Sequence, residues 1–478
     1  MHFFWFFSFC LLPLCLSYKV VVFSPTVGSS HSNFLGKISD ILLEAGHNVT
    51  LVIPIYRDKE KHLTGTKKVK NIIRIPQDPR IFEALQKGNV EEILGKSTWQ
   101  MNNNFFAVYK VFGVLNHAAG YQCENVFKQT ELLERLREEQ FDLGISESLF
   151  ICAHAFFERI RVKTIINADS TIFQQSAKIG LGEPSAISYY PGLYATNTDK
   201  MSFLGRIQNF FDYQMNKFFL TSRYHHELAH LNKNWEPYWD NVAFNFINSN
   251  RYLDYPSPTL PKTVFVGGMQ VRTRKDGKVE LSKEWDEVLN RREKNVLISF
   301  GSVAQSAMMP EEYKSAFLKL FESMPDVTFI WKYEEGTPAI VIPIFGDQPR
   351  NAHMLTRHGG AIQLNKTQLD QPEVIRNTIE TVLNDPSYKE NARKLANILD
   401  QQPNKPKETV LKHCDFAVAM GNLKTLDSEG KNLNFFVYYS FDLILTGFAV
   451  VIISAIVTLC IIRSLFRFIT NKLKTKVE

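Results

Sequence analysis

Cysteine is scarce in this chain. Of the six cysteines, Cys10 and Cys15 fall in an apolar N-terminal stretch and Cys460 in an apolar C-terminal one. Cys123, Cys152 and Cys414 remain for the folded part, a set too sparse for a disulfide framework and compatible with buried thiols or at most one bridge. No G-x-G-x-x-G follows the first strand-like run, so nothing argues for a bound dinucleotide. A basic patch is missing too. Most of the formal charge of +6 comes from the tail, where Arg463, Arg467, Lys472, Lys474 and Lys476 face only Glu478, and no nucleic-acid partner is implied. Disorder is excluded by an apolar content of 45% over 478 residues, which leaves room for two or three domains.

Strand and helix signals alternate in what is present. Lys19 to Ser24 reads as a strand, Asn33 to Ala45 as a helix with Leu35, Ile38, Leu42 and Leu43 on one face, and His47 to Ile55 as the next strand. His31 lies just past the carboxyl end of the first strand. Phe141 to Ile145 reads as another buried strand, with Glu147 just past its end. Ionisable residues at corresponding ends of parallel strands converge on one cleft. Residues 56–125 and 175–250 are rich in aromatics without a sustained period and read as loops and helices. Leu260 to Gly267 looks like the link to a second domain.

That second domain opens with Asn295 to Val303, an apolar run breaking into Gly-Ser, as a buried parallel strand does when it empties into a ligand-facing loop. A helix pattern behind Pro310 follows, then strands over Asp326–Trp331 and Ala339–Ile344. The last of these ends in a polar cluster, Phe345-Gly346-Asp347-Gln348-Pro349-Arg350-Asn351-Ala352-His353. Gln371–Asn384 and Tyr388–Asp400 are helical patterns separated by an Asp-Pro-Ser turn.

Phe300-Gly301-Ser302-Val303, Met309-Pro310, Thr328 to Glu334 and Pro343 to Ala352 resemble the UDP-glycosyltransferases, specifically the animal membrane-bound UDP-glucuronosyltransferase branch. The resemblance extends over nearly the whole chain. It implies an α/β fold of two Rossmann-like domains facing across a cleft (GT-B-like), plus one C-terminal transmembrane helix. The implied activity is inverting transfer of a sugar from a UDP-sugar to a hydroxyl of a small lipophilic acceptor. UDP-sugar serves as co-substrate, with no other cofactor and no metal. His31 corresponds to the general base, and Glu147 to the acidic residue that orients it, where the best-known family pattern has Asp. Ser302 is placed at the diphosphate, and Asp347, Gln348 and Asn351 at the donor. A bland reading stays open beside this, in which Asp347-Gln348 only cap a helix and Gly301-Ser302 is only a turn.

The match departs from the family at one interval. Between Tyr333 and Ala339 lie only Glu334 to Pro338, whereas two parallel strands need a crossover of about a dozen residues or more. The family carries there a Trp-x-Pro-Gln element that stacks on uracil, a His-Gly-Gly helix start for the diphosphate and a Glu for the ribose. The missing material amounts to roughly forty residues, one βαβ unit or more, so the donor signature contains an internal deletion. Two other classes remain: a non-catalytic shortened member that pairs with complete relatives, and a membrane-anchored zinc peptidase. The second rests on His226-Glu227-Leu228-Ala229-His230, which lacks the Gly and His of the extended zinc pattern at Lys233 and Glu236 and reads first as a chance match on a surface helix.

The expected organisation is a signal peptide over 1–17 (or an uncleaved anchor), an acceptor-binding domain over 18–260 and a UDP-sugar-binding domain over 261–430, truncated near 334–338. A transmembrane helix lies within 435–462, whose uncharged core is Leu443 to Ile462, and a basic tail fills 463–478. The positive-inside rule places the tail in the cytosol and the bulk in the lumen. Lys474-Thr475-Lys476-Val477-Glu478 resembles the K-x-K-x-x retrieval signal, which points to the endoplasmic reticulum membrane. Partners implied are the donor, the acceptor, the membrane, and homo- or hetero-oligomers with relatives.

Overall fold

The computed structural model describes residues 17–87, 99, 105–172, 175–269, 281–300, 309–330, 339–344 and 346–474. The segments expected as the signal peptide, the Ser302 loop and the Glu334–Pro338 interval lie outside the described residues. The chain divides into a unit ending at Asp427 and a second from Ser428 onward.

The first unit is built on a seven-stranded sheet of β1 (Lys19–Phe23), β2 (Asn48–Pro54), β3 (Ile72–Ile75), β4 (Leu143–Ser146), β5 (Thr164–Asp169), β6 (Val242–Ile247) and β7 (Thr263–Phe265), in spatial order β3-β2-β1-β4-β5-β6-β7. Every pairing is parallel. The helices that shape the site are α1 (Ser29–Glu44), α2 (Phe105–Lys128), α3 (Cys152–Arg159), α4 (Phe203–Leu228), α5 (Gln348–Thr356) and α6 (Pro406–Met420), and the second unit carries α7 (Phe441–Lys474). Val20 and Val22 point into one core with Leu35 and Ile38 of α1, whereas Val21 and Phe23 point into another with Phe156 and Phe157 of α3. Successive side chains alternate across a strand, and a parallel sheet is covered on both faces. A run of three valines therefore suits this strand.

Two regions differ from the sequence reading. Residues 175–250, expected as loops and helices, do contain the 26-residue α4 but also the fully buried strand β6, and residues 56–125 contain β3. Short apolar runs such as Val-Ala-Phe-Asn-Phe-Ile carry no period of their own, and it is the neighbouring strands that make them sheet. Helix α6, expected with the second domain, buries Val410, Cys414 and Ala417 in the core of the first sheet. Cys123 and Cys152 form a disulfide linking α2 to the start of α3, while Cys414 is a buried thiol.

Among the described residues beyond 280 the strands form two parallel pairs, β8 (Lys294–Leu297) with β9 (Val327–Ile330) and β10 (Ala339–Val341) with β11 (Ala361–Gln363). The expectation that β8 is a buried strand does not hold. Lys294, Asn295 and Leu297 are exposed, Leu297 by 40%. Among the described residues β8 has a partner on one edge only, and a two-stranded sheet cannot enclose its own strands.

In the second unit, α7 has 34 residues, or about 50 Å of helix at 1.5 Å per residue. It is long and apolar enough to cross a membrane over Phe441–Arg467.

Candidate active site

The strand order of the first sheet reverses between β1 and β4, and ligands in open α/β sheets sit outside the carboxyl ends of strands at such a point. Both candidate catalytic residues are delivered there. His31 lies in the first turn of α1, which starts at Ser29 behind Gly28, earlier than expected. Glu147 follows β4 directly. Their side chains meet, with Nδ1 of His31 2.6 Å from Oε2 of Glu147. The extra methylene of Glu relative to Asp does not prevent the contact.

The other carboxylate oxygen of Glu147 accepts the backbone N–H of Ser170 at 2.8 Å, and Oγ of Ser170 lies 2.9 Å from Nδ1 of His31. Ser170 is a site residue that sequence reasoning missed. It sits one residue past β5, and the strand-end rule would have found it had β5 been recognised. Burial alone would lower the pKa of His31, but the charge and hydrogen bond of Glu147 outweigh it and the result is raised. Glu147 is fully buried, which raises its pKa, yet His31 and Ser170 bring it below the usual carboxylate value. Behind the pair, Asp169 is pushed up to about 7 by burial, against hydrogen bonds from the Ser148 N–H and hydroxyl. Glu147 thus holds the Nδ1 proton and leaves Nε2 with the lone pair a base needs.

His31 lines a cavity of about 300 Å³, walled largely by apolar side chains such as Leu115, Phe150, Phe219 and Leu220. This falls at the small end of ligand sites. Tyr56, Thr171, Tyr194 and Asn216 add polar groups, and Arg57 and Arg223 add charge.

Asp347 occupies the N-cap position of α5 but makes no capping hydrogen bond with its side chain. Its Oδ2 accepts from Asn351 at 2.8 Å, and its charge acts on both His31 and Tyr194. Gln348 Oε1 accepts the backbone N–H of Ile344 at 2.8 Å. Asn351 Oδ1 is buried without a hydrogen bond in the described structure. The Asp347–Asn351 pair therefore flanks the His31 site, and Ser302 lies outside the described residues.

Arg350, one turn into α5, is wholly buried and bonds Asp254 at 2.6 Å and the carbonyl of Pro191 at 3.3 Å. It also lies over the rings of Tyr190 and Tyr255. His358 Nε2, two residues past α5, reaches the carbonyl of Leu253 at 2.9 Å, so α5 and the residues behind it hold the loop at Leu253 and Asp254. Arg350→Ala is expected to destabilise the protein by about 3–5 kcal/mol, because it leaves a buried carboxylate without its cation. Denaturant titration measures this, and an unchanged midpoint would show that the clasp carries no weight.

The His226–His230 motif is arranged differently from a zinc site. Helix α4 ends at Leu228, and His230 sits in the following 3₁₀ turn. Glu227 points inward, fully buried, and accepts the backbone N–H of Cys152 at 2.8 Å. His226 packs edge-on against the ring of His117. No metal-holding group of His, Cys, Asp or Glu occurs among the described residues.

Known structures share this architecture. The kitacinnamycin glycosyltransferase matches with a TM-score of 0.52 over 84% of this chain and 98% of its own, at 12% identity. The calicheamicin glycosyltransferase CalG4 matches with a TM-score of 0.51 over 84% and 98%, also at 12% identity. The fold is accordingly GT-B-like. Among curated relatives, human UDP-glucuronosyltransferase 2A2 is 23% identical over 96% of this chain and 94% of its own length. Rabbit (Oryctolagus cuniculus) UDP-glucuronosyltransferase 2B14 is 24% identical over 87% of each. The model of the family described as UDP-glucoronosyl and UDP-glucosyl transferase matches residues 19–340 and 334–476, and the chain belongs to that family.

Proposed function

We propose that the site transfers glucuronic acid or glucose from a UDP donor to a hydroxyl of a small lipophilic acceptor. The observation that carries this is the His31–Glu147 pair opening into an apolar cavity. His31 Nε2 takes the acceptor proton, the oxygen attacks the anomeric carbon, and the bond to the UDP oxygen breaks, with its electron pair leaving on UDP. Glu147 stabilises the imidazolium, and Ser170 fixes the geometry of both. Asp347 and Gln348, steadied by Asn351 and by the Ile344 amide, receive the donor sugar, and Ser302 approaches the diphosphate. UDP-sugar is the only co-substrate this scheme requires. Incubating the chain, with its 334–338 interval completed from a full-length relative, with an α-linked UDP-sugar and a phenol tests the reading. A β-glycoside is expected; a retained configuration or no product with either sugar would overturn it.

We also infer that this chain lacks a segment of its donor half. Among the described residues two parallel strand pairs lie before and after the 334–338 interval without bonding to each other, and β8 is exposed although its sequence suits a buried strand. The family model matches in two pieces that overlap at 334–340. The alignment with human 2A2 runs over 540 positions, more than the 478 of this chain, so gaps fall on this chain's side. Open strand edges are templates for pairing with another chain. That observation favours, as second reading, a shortened member that associates with complete relatives.

The chain is further proposed to sit in the endoplasmic reticulum membrane through α7, with residues 463–478 in the cytosol and the rest in the lumen. Arg463 and Arg467 follow the uncharged stretch at one end only, which supports that orientation. Protease added to intact microsomes is expected to trim only residues beyond Ile462. Cleavage near His31 without detergent would reverse the assignment. Replacing Lys474 and Lys476 by Ser is expected to release the protein from the endoplasmic reticulum, and unchanged retention would rule out the tail as the address.

A further inference from the structure

Arg223 stands out in the wall of the cavity. It is only 8% exposed, and its Nε donates to the side-chain oxygen of Asn116 at 3.2 Å. Its guanidinium carbon lies 5.5 Å from the centre of the Phe150 ring. Neither contact supplies a negative charge, and no carboxylate among the described residues reaches ion-pair distance of this guanidinium. The contrast with Arg57, the other cation lining the cavity, is direct, because Arg57 is paired with Glu60 at 2.9 Å.

Glu227, one turn further along α4, is the nearest candidate counter-charge on the same helix. It is spent on the Cys152 amide, and burial pushes it up to about 8, so it carries a proton at neutral pH. Glu147 is engaged with His31 and Ser170, and Asp347 with Asn351. A charge taken from water into an apolar setting is costly unless paired and hydrogen-bonded, and the free face of this guanidinium opens on the acceptor cavity. A planar guanidinium matches a carboxylate through two parallel N–H donors.

We propose that the acceptor is an amphipathic hydroxy-carboxylic acid: its carboxylate is held by Arg223, its apolar body lies against Phe150, Phe219 and Leu220, and its hydroxyl is presented to His31. This rests on the reading of the cavity as the acceptor site. It goes beyond that reading by making Arg223 the residue that selects acidic over neutral lipophiles.

The test is equilibrium binding, which needs no donor. The full chain in detergent is titrated with 6-hydroxy-2-naphthoic acid and, separately, with its methyl ester, which has the same ring and hydroxyl but no charge. The acid is expected to bind about tenfold tighter or more, the range of a hydrogen bond to a charged group. Arg223→Met is expected to erase that preference while leaving ester affinity within about threefold, and Arg57→Gln is expected to keep the preference. Equal binding of acid and ester by the unaltered chain, or a preference that survives Arg223→Met, overturns the proposal and leaves the acceptor site standing. Should Arg223→Met lose the ester as well, Arg223→Gln is judged by the same criteria. Binding of neither compound by the unaltered chain overturns the acceptor-site reading and this proposal together.

Discussion

Titration of the 478-residue chain with UDP or UDP-glucuronic acid is expected to show no micromolar binding, and transfer by this chain is expected to be weak or absent. In the proposed scheme Asp347, Gln348 and Asn351 receive the donor sugar, and none of them is assigned to the uracil. On the proposed reading, the family's stacking element and its helix start for the diphosphate belong to the segment inferred to be missing near 334–338. Stacking an aromatic base contributes about 1–3 kcal/mol, and each charged hydrogen bond to phosphate about 1.5–3 kcal/mol. With every 1.4 kcal/mol worth about tenfold, losing several of these together weakens donor binding by several orders of magnitude. Restoring the interval from a full-length relative is expected to bring binding back and to bury β8 between neighbours. Calorimetry on both chains decides the matter. Micromolar affinity in the unaltered chain, together with measurable transfer, would show that other residues have taken over the nucleotide.

The second large effect is expected at His31. In a chain competent for transfer, His31→Ala should lower turnover by roughly 10²–10⁴-fold, the usual contribution of a positioned base. Acceptor affinity should change far less, because the cavity walls that hold the apolar body remain. The pH profile gives an independent reading. A base acts in its neutral form, and Glu147 raises the pKa of His31 above its ordinary 6.5. Turnover is therefore expected to rise with pH through a value above 6.5, and Glu147→Gln, which removes the charge, should move that limb to lower pH. Near-normal turnover in His31→Ala would remove His31 from the mechanism, and an unmoved limb in Glu147→Gln would separate the two residues.

The fold was legible where local pattern is strong. Strands β1, β2 and β4 and helix α1 fall within a few residues of their expected places, and the apolar C-terminal helix covers its expected core but runs on to Lys474, because hydrophobic period and chain length encode them without outside help. His31 and Glu147 could be paired from sequence because both follow parallel strands whose ends share one edge of the sheet. Strands β5 and β6 were not legible, and Ser170 was lost with β5. A six-residue apolar run acquires its identity from the strands on either side of it.

The sequence by itself determined the family, the His31–Glu147 pair proposed as catalytic, the long apolar helix near the end and the shortness of the interval between Tyr333 and Ala339. All of these depend on residue type and short-range spacing. Only the tertiary structure decided that Cys123 bonds Cys152, that α6 returns to the first sheet, that β8 is left exposed and that Glu227 faces inward instead of toward a metal. It also decided that Arg223 meets Asn116, 107 residues away, in the wall of the cavity that contains His31. The direction a helix turns a charge is set by what packs against its other side. That packing is a sum of weak contacts between residues far apart in the chain, and no local pattern records it.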